Sequence, residues 1–385
     1  MAELLNCGVS SIIAGFVLAS CAAHAVVGHA ALPGQIRAIE IQSGQPSSDR
    51  DSELELQKGT ALTRTGQFAG AIPHLLAARG RVANEYAANF NLALCYVATS
   101  QPKLAVPILS ELRAGGHDNA DVSNLLAQAY VGDSENQKAI EALHRAASLT
   151  PANERLYIFV ADACMGKQAY GLGMQVVDLG LRNLPHSGRL HFERAMFLSL
   201  LDQFDSAKPD FELARKLAPD SDIAFVATAQ QAMFEGNIPE VIRSAREGIS
   251  KGRANFMLLA LLGEALLRSG IRPGQPEFEE ARQALENSVA ERLNYPSSHL
   301  ALGKLYLMDN RVQEAVAHLE NARQLDPANP SVYSSLAAAY RKQGDLSKAR
   351  QALAALSQIN AAQAEKIRSA SGDRRAGYAG SGRAR

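Results

Sequence analysis

The residue types that catalyse reactions are present, but their spacing matches no established catalytic or binding motif. Gly171 and Gly173 begin like the glycine-rich turn that holds a dinucleotide, yet Val176 stands where the third glycine belongs. The sequence contains no HExxH, no CxxC and no Walker-type phosphate loop. We therefore expect no catalytic residues, no metal ligands and no cofactor, and we predict that the protein is not an enzyme.

Two histidines and two cysteines of the central region are better explained by packing. His191 and His299 occupy equivalent positions on the core-facing side of predicted helices. Cys95 and Cys164 fall on helices that we expect to lie roughly 30 Å apart, at about 8–10 Å per helix contact. Because a disulfide needs Cα atoms within about 7 Å of each other, the two cysteines should be buried free thiols.

Residues 1–25 resemble an export signal. An unbroken apolar run covers residues 12–23, which is long enough for a signal-peptide core and too short to span a bilayer. Residues 18–21 (LASC) are similar to the lipobox of bacterial lipoproteins, in which Cys21 would be lipidated. Cleavage after Ala25 is the alternative. Either outcome predicts a periplasmic protein or one anchored to a membrane and facing the periplasm.

The segment before the apolar run weakens this interpretation. It contains no Lys or Arg, which signal peptides usually carry, and it includes Glu3. Retention of the segment in a cytoplasmic protein is therefore a third alternative. If membrane attachment occurs, we expect it only through this N-terminus.

Composition argues against a nucleic-acid partner. The chain has 39 Lys plus Arg and 39 Asp plus Glu, so its formal net charge is zero, and no general basic field attracts a polyanion. Tryptophan is absent and aromatic residues make up only 6% of the chain, which leaves few side chains on which bases could stack.

The chain repeats itself with a period of 34 residues between its two ends. Nine units run from residue 52 to residue 363, and the seventh is longer by six residues, which fall near positions 271–278. The eighth position of every unit is Gly or Ala, and the twentieth is Ala in seven of the nine units. The units begin at Ser52, Tyr86, Ala120, Glu154, Gly188, Asp222, Phe256, Pro296 and Pro330.

Each unit is predicted to form two helices. Positions 4, 7, 8 and 11 follow the spacing of one helix face, and positions 20, 24 and 27 follow that of a second. Small residues at positions 8 and 20 let the two axes approach closely as an antiparallel pair. Four units place a glycine in the intervening turn, where a left-handed residue ends the first helix: Gly66, Gly236, Gly270 and Gly344.

This pattern resembles the tetratricopeptide repeat over about four-fifths of the chain, although the early tryptophan of that family is missing. The resemblance implies an all-α fold, a right-handed α-solenoid of tandem antiparallel helix pairs in residues 52–363. Residues 26–51 are expected to form a flexible tether. Residues 364–385 are expected to contain the end of a capping helix and a basic disordered tail.

In this family the first helices line a concave groove, and here that stripe is apolar across its middle. Flexible Met and Phe side chains suit a hydrophobic peptide or helix. The alternative is a tightly wound solenoid in which the same residues pack across the groove. The predicted groove residues are Phe90, Leu94, Ile158, Met165, Phe192, Met196, Val226, Met233, Phe234 and Leu267.

These features predict a non-catalytic scaffold that binds other proteins, whose identity the sequence does not give, in its concave groove. The alternative is an accessory repeat subunit of an enzyme or of a secretion or assembly complex, with the catalytic part on another chain. The family's carboxylate clamp for chaperone C-termini should be absent. Asn91 and Arg155 match two of its columns, but Leu56 and Phe90 occupy its lysine column.

Overall fold

The computed structural model describes residues 47–380, which form eighteen α-helices and no strand. Residues 1–46 and 381–385 lie outside this described part, so the predictions for the signal segment, for Cys21 and for most of the tether concern residues that the structure does not describe. No helix between Ser47 and Gly380 combines the length and the apolar character needed to cross a membrane.

The helices alternate as first and second members of nine pairs. Their bounds are α1 Ser47–Arg64, α2 Phe68–Ala78, α3 Glu85–Ala98, α4 Pro102–Ala114, α5 Ala120–Gly132, α6 Asn136–Leu149, α7 Glu154–Gly166, α8 Tyr170–Asn183, α9 Gly188–Leu200, α10 Phe204–Leu217, α11 Asp222–Phe234, α12 Ile238–Ser250, α13 Phe256–Arg268, α14 Pro276–Glu291, α15 Pro296–Met308, α16 Val312–Leu325, α17 Pro330–Gln343 and α18 Leu346–Gly380.

The helices divide into two compact units, an N-terminal unit that holds α1 to α8 and a C-terminal unit that holds α9 to α18. Within each unit every first helix packs against its own second helix and against the first helix of the next pair. Each unit is therefore a stack of helix pairs in which neighbours bury each other's apolar faces, as repeat arrays require.

Seven of the nine first helices begin at the residue that the repeat period predicts, from α5 to α17. The start is fixed locally, because a side-chain oxygen just before the helix accepts a hydrogen bond from an otherwise unpaired N–H of the first turn. Six first helices have such a cap: Asn84, Asn119, Asn153, Ser187, Asn255 and Asn329.

Every first helix ends in the same left-handed turn. The fifteenth residue of each of the nine repeats has a positive φ. Its N–H donates to the carbonyl of the residue three positions before it. The four predicted glycines take this conformation, which confirms the prediction. Five other residues adopt it as well, with φ between 55 and 63°: Ser100, Ser134, Gln168, Asp202 and Asn310.

The small residues predicted at the helix crossings are buried as expected. Ala93, Ala127 and Ala195 are fully buried. At Gly263 the approach is so close that an added Cβ would lie 2.4 Å from Leu285 Cγ in the paired helix. The column of small residues therefore sets the distance between the two helices of each pair.

The insertion in the seventh repeat is only partly a loop. Ile271 and Phe278 are 6% and 1% exposed, so both ends of the inserted segment are packed in the core. Residues 272–277 between them are exposed, and α14 already begins at Pro276. The six additional residues are thus divided between a longer turn and a longer second helix.

Two predicted boundaries change at the ends of the array. Residues 47–51, which were predicted to belong to the tether, belong to α1. The last helix, α18, continues through Gly380, although a disordered tail was predicted after the capping helix. Residues 346–380 contain no proline, which is the residue that breaks a helix most strongly.

Candidate functional site

Most of the ten predicted groove residues are buried in the free chain. Seven of them are at most 8% exposed: Phe90, Leu94, Met165, Phe192, Met196, Val226 and Met233. Ile158, Phe234 and Leu267 are partly exposed. Four of the ten lie in the N-terminal unit and six in the C-terminal unit, so the two sets are described separately.

In the N-terminal unit the predicted stripe is interrupted by buried amides. Asn124 donates to the backbone oxygen of Leu156 on α7 at 2.7 Å, and Gln128 donates to the Asn124 side-chain oxygen at 2.8 Å. Both amides are 4% exposed. Because they bond to each other and to a neighbouring helix, they bind α5 to α7 and offer little to a partner.

In the C-terminal unit the stripe opens into a pocket of about 260 Å³. Its walls come from α9, α10, α11 and α13, and from the residues at the start of α15. Three of the ten predicted residues line it: Met196, Met233 and Phe234. The volume of this pocket is slightly below the roughly 300–1,000 Å³ of small-molecule sites. A pocket of this size suits one or two apolar side chains.

Aromatic rings form one wall of this pocket. The Phe234 ring centroid lies 6.1 Å from that of Phe204 and 6.3 Å from that of Phe211. Phe192 packs edge-on against Phe211 at 6.1 Å, with only 3% of its surface exposed. Phe192 thus supports the wall from inside the core, whereas Phe234 presents part of its ring to solvent.

Several polar groups at the pocket are paired within the chain. Glu264 and Arg268 form an ion pair one turn apart on α13. Gln231 accepts from Arg215 at 2.7 Å and donates to Glu235 at 2.9 Å. The Ser199 hydroxyl donates to the Ala195 carbonyl at 2.8 Å. No cluster of three or more potential metal ligands occurs in the described residues.

Part of the pocket lies outside the first helices and was not predicted from the sequence. Phe204 and Phe211 belong to α10, and Tyr295 belongs to the connection between α14 and α15. One signal was available: Phe211 stands at the twenty-fourth position, where six of the nine units carry leucine. A large aromatic residue at that position changes the shape of the surface between neighbouring pairs.

The two central cysteines are buried and free, as predicted. Burial raises the pKa of the Cys95 thiol. Burial, followed by the negative charge of Asp162, raises the pKa of Cys164 to about 12. Both are therefore protonated at neutral pH, and a thiol lacking thiolate character is a poor nucleophile.

Comparison with known families identifies the repeat. A tetratricopeptide repeat model matches residues 62–129 and 306–370, and a second tetratricopeptide repeat model matches residues 274–330. The chain therefore carries tetratricopeptide repeats, and the eighteen helices of residues 47–380 are consistent with nine of them. Such repeats are scaffolds for protein–protein interaction. No curated protein matches the sequence.

Several solved structures are similar to this chain. The chain is similar to a chain in the crystal structure of the APC/C hetero-tetramer Cut9-Hcn1, with 15% identity and a TM-score of 0.48. That alignment covers 81% of this chain and 64% of the other, so this chain spans about two-thirds of its length. A tetratricopeptide repeat protein from Parabacteroides merdae is 18% identical, with a TM-score of 0.45, and the alignment covers 67% of this chain and 99% of that chain.

Proposed function

We propose that the pocket of the C-terminal unit binds an apolar side chain of a partner protein, presented on a peptide or a helix. The observation that carries this proposal is the partly exposed ring of Phe234, which stands with other apolar side chains in a pocket that has a polar rim. Met196 and Met233 stand beside it, and flexible methionines adapt to differently shaped apolar groups.

The polar rim supports a role in binding rather than in catalysis. The charged side chains that line the pocket are Lys208, Glu235, Glu264 and Arg268, two of each sign. Glu264 is paired with Arg268. A neutral rim does not select strongly for a charged ligand, so shape and apolar contact decide what binds.

A wider role follows from this interaction. We propose a non-catalytic scaffold in a bacterial cell envelope, delivered by residues 1–25 and either lipidated at Cys21 or cleaved after Ala25. Export rests on the apolar run at residues 12–23. In the alternative proposal the chain is an accessory subunit of an enzyme or of a secretion or assembly complex, and the partner side chain belongs to that assembly.

The pocket can be tested without knowing the natural partner. Random peptides displayed on phage would be selected on the full chain and then measured on Phe234→Asp. Leu353→Asp is the matched control, because Leu353 is 45% exposed on α18 and does not line the pocket. We expect selected peptides to carry a large apolar residue and to lose about tenfold or more in affinity on Phe234→Asp alone.

Circular dichroism of both variants establishes that they are folded before binding is compared. Peptides that bind Phe234→Asp as tightly as the parent chain, or a selection that enriches no apolar residue, would refute the pocket as the binding site.

A further inference from the structure

Two histidines of the C-terminal unit share one hydrogen bond. His299 on α15 and His318 on α16 face each other with their Nδ1 atoms 3.0 Å apart. The Nε2 atom of His299 lies 2.8 Å from the backbone oxygen of Leu293. His299 is 3% exposed and His318 is partly buried, so this contact lies mainly inside the protein.

The geometry fixes where the protons are. A carbonyl oxygen only accepts, so His299 must carry its proton on Nε2 to bond with Leu293. The Nδ1 atom of neutral His299 is then an acceptor, and His318 must donate from its own Nδ1. A proton added to His318 goes to its Nε2 and leaves the shared bond in place. A proton added to His299 goes to Nδ1, where it confronts the Nδ1–H of His318 and removes the bond.

Several charged groups face the pair. Glu286 of α14 and Glu314 of α16 favour a positive charge on His318, whereas Arg311 and His299 disfavour it. The Tyr306 ring of α15 lies 5.5 Å from the His318 ring, and its hydroxyl donates to Glu286 at 2.9 Å. The two carboxylates therefore help the pair to accept one proton, but a second proton meets two nearby positive charges.

The pair is connected to the pocket wall through the backbone. Leu293, whose carbonyl is held by His299, belongs to residues 292–295, which connect α14 to α15. Tyr295 of the same connection lines the pocket, and its ring packs edge-on against Phe256 at 5.1 Å. A displacement of the His299 ring therefore pulls on the segment that positions Tyr295.

We propose that the His299–His318 pair makes the pocket sensitive to pH, because double protonation breaks the shared hydrogen bond and displaces the His299 ring, which moves the 292–295 connection and Tyr295 through its retained bond to the Leu293 carbonyl. This pH sensitivity rests on the proposed function only because Tyr295 belongs to the same pocket. The conformational change is expected whether or not a partner is present.

The direction of the effect follows from burial. Burial lowers the pKa of His299, and burial followed by the charge of His299 lowers the pKa of His318, both from an ordinary value of 6.5. Below pH 6.5 the unfolded chain then binds more protons than the folded one. The stability that the neutral pair contributes is therefore complete above pH 6.5 and is lost as the pH falls through the lowered pKa values.

The absence of tryptophan from the chain allows a direct test. The variant Tyr295→Trp places a single indole in the pocket wall of the full chain, and its fluorescence is followed from pH 7.5 to pH 5. We expect the emission to shift to longer wavelength, as the indole gains contact with water, with a midpoint below pH 6.5.

A second substitution in this reporter chain identifies the groups that titrate. His318→Asn retains a donor close to the position of Nδ1, and its amide can turn to accept when His299 is protonated. We expect the emission shift to disappear in this variant. His144→Asn, which removes an exposed histidine of α6, should leave the shift unchanged.

Hydrogen–deuterium exchange of the unsubstituted chain provides a measurement that needs no variant. After correction for the intrinsic effect of pH, residues 292–299 should exchange faster at pH 5.5 than at pH 7.5, whereas α13 should not. An emission shift that survives His318→Asn, or equal corrected exchange at the two pH values, would overturn the proposal. Neither result bears on peptide binding at neutral pH, so failure of the pocket itself remains distinguishable.

Discussion

Replacement of Phe192 by alanine tests whether the apolar stripe of the C-terminal unit is core or surface. Phe192 was predicted to face a partner, but only 3% of its surface is exposed. The Phe192 ring packs edge-on against the Phe211 ring. The Arg189 guanidinium also contacts the Phe192 ring and lies 5.7 Å from its centroid. The substitution therefore leaves a cavity inside the protein and removes little that a partner could touch.

The size of the effect follows from this burial. Truncation of a buried Phe to Ala costs about 3–5 kcal/mol, which includes the lost transfer free energy and the cavity that remains. For a cooperative unit of about 150–250 residues, each kcal/mol lowers the melting temperature by roughly 2–4 °C. The C-terminal unit falls in this range, so we expect its melting temperature to fall by about 6–20 °C.

Thermal melts followed by circular dichroism at 222 nm measure the change. Phe234→Ala is the matched control, because this ring is partly exposed and its loss should cost no more than about 1–2 kcal/mol. A melting temperature of Phe192→Ala within about 2 °C of the parent, with a larger fall for Phe234→Ala, would reverse the assignment of the two rings. In that case Phe192 would return as a candidate binding residue.

Three further predictions concern other parts of the molecule. Gly263→Ala should lower the melting temperature, because overpacking against Leu285 costs about 1–3 kcal/mol, whereas the gain in helix propensity is only about 1 kcal/mol. Gly70→Ala is the control and should raise the melting temperature, because its added Cβ would meet only Leu62 Cδ1 at 4.0 Å. Deletion of exposed residues 273 and 274 should leave helicity unchanged, since they form the tip of a turn whose ends are already close; a fall in ellipticity at 222 nm would contradict this. Cys21→Ser should release the protein from membrane fractions if Cys21 is lipidated, whereas a mature N-terminus at Val26, found by mass spectrometry, would exclude lipidation.

The fold was readable from the sequence because its determinants are local and repeated. Small residues at the helix crossings, such as Ala127 and Gly263, recur every 34 residues, and each repetition adds evidence for the same helix pair. For the same reason, seven of the nine first helices begin at the first residue of their repeat. The ends of the array were harder to predict, because α1 and α18 each extend beyond the repeat and no second copy fixes their limits.

The pocket was less predictable, because exposure depends on neighbours that a single column does not show. Phe192 and Phe234 both belong to first helices, yet one supports the wall from the core and the other faces the pocket. Tyr295 enters the pocket from the connection between α14 and α15, where no helix-face pattern applies. A helix-face pattern locates the stripe but does not determine which of its side chains a second helix covers.

The left-handed turn that ends every first helix offers positions at which substitution should raise thermal stability. Ser100, Ser134 and Gln168 hold a φ of 58, 63 and 55°, a conformation that costs an L-residue roughly 1–2 kcal/mol and costs glycine almost nothing. Glycine also loses about 0.5–1 kcal/mol more backbone entropy on folding, so each replacement should gain on the order of 0.5–1 kcal/mol. The three turns lie in separate repeats, and their gains should add. Glycine substitutions in three exposed turns should therefore raise the thermal stability of the protein without changing its core or its pocket.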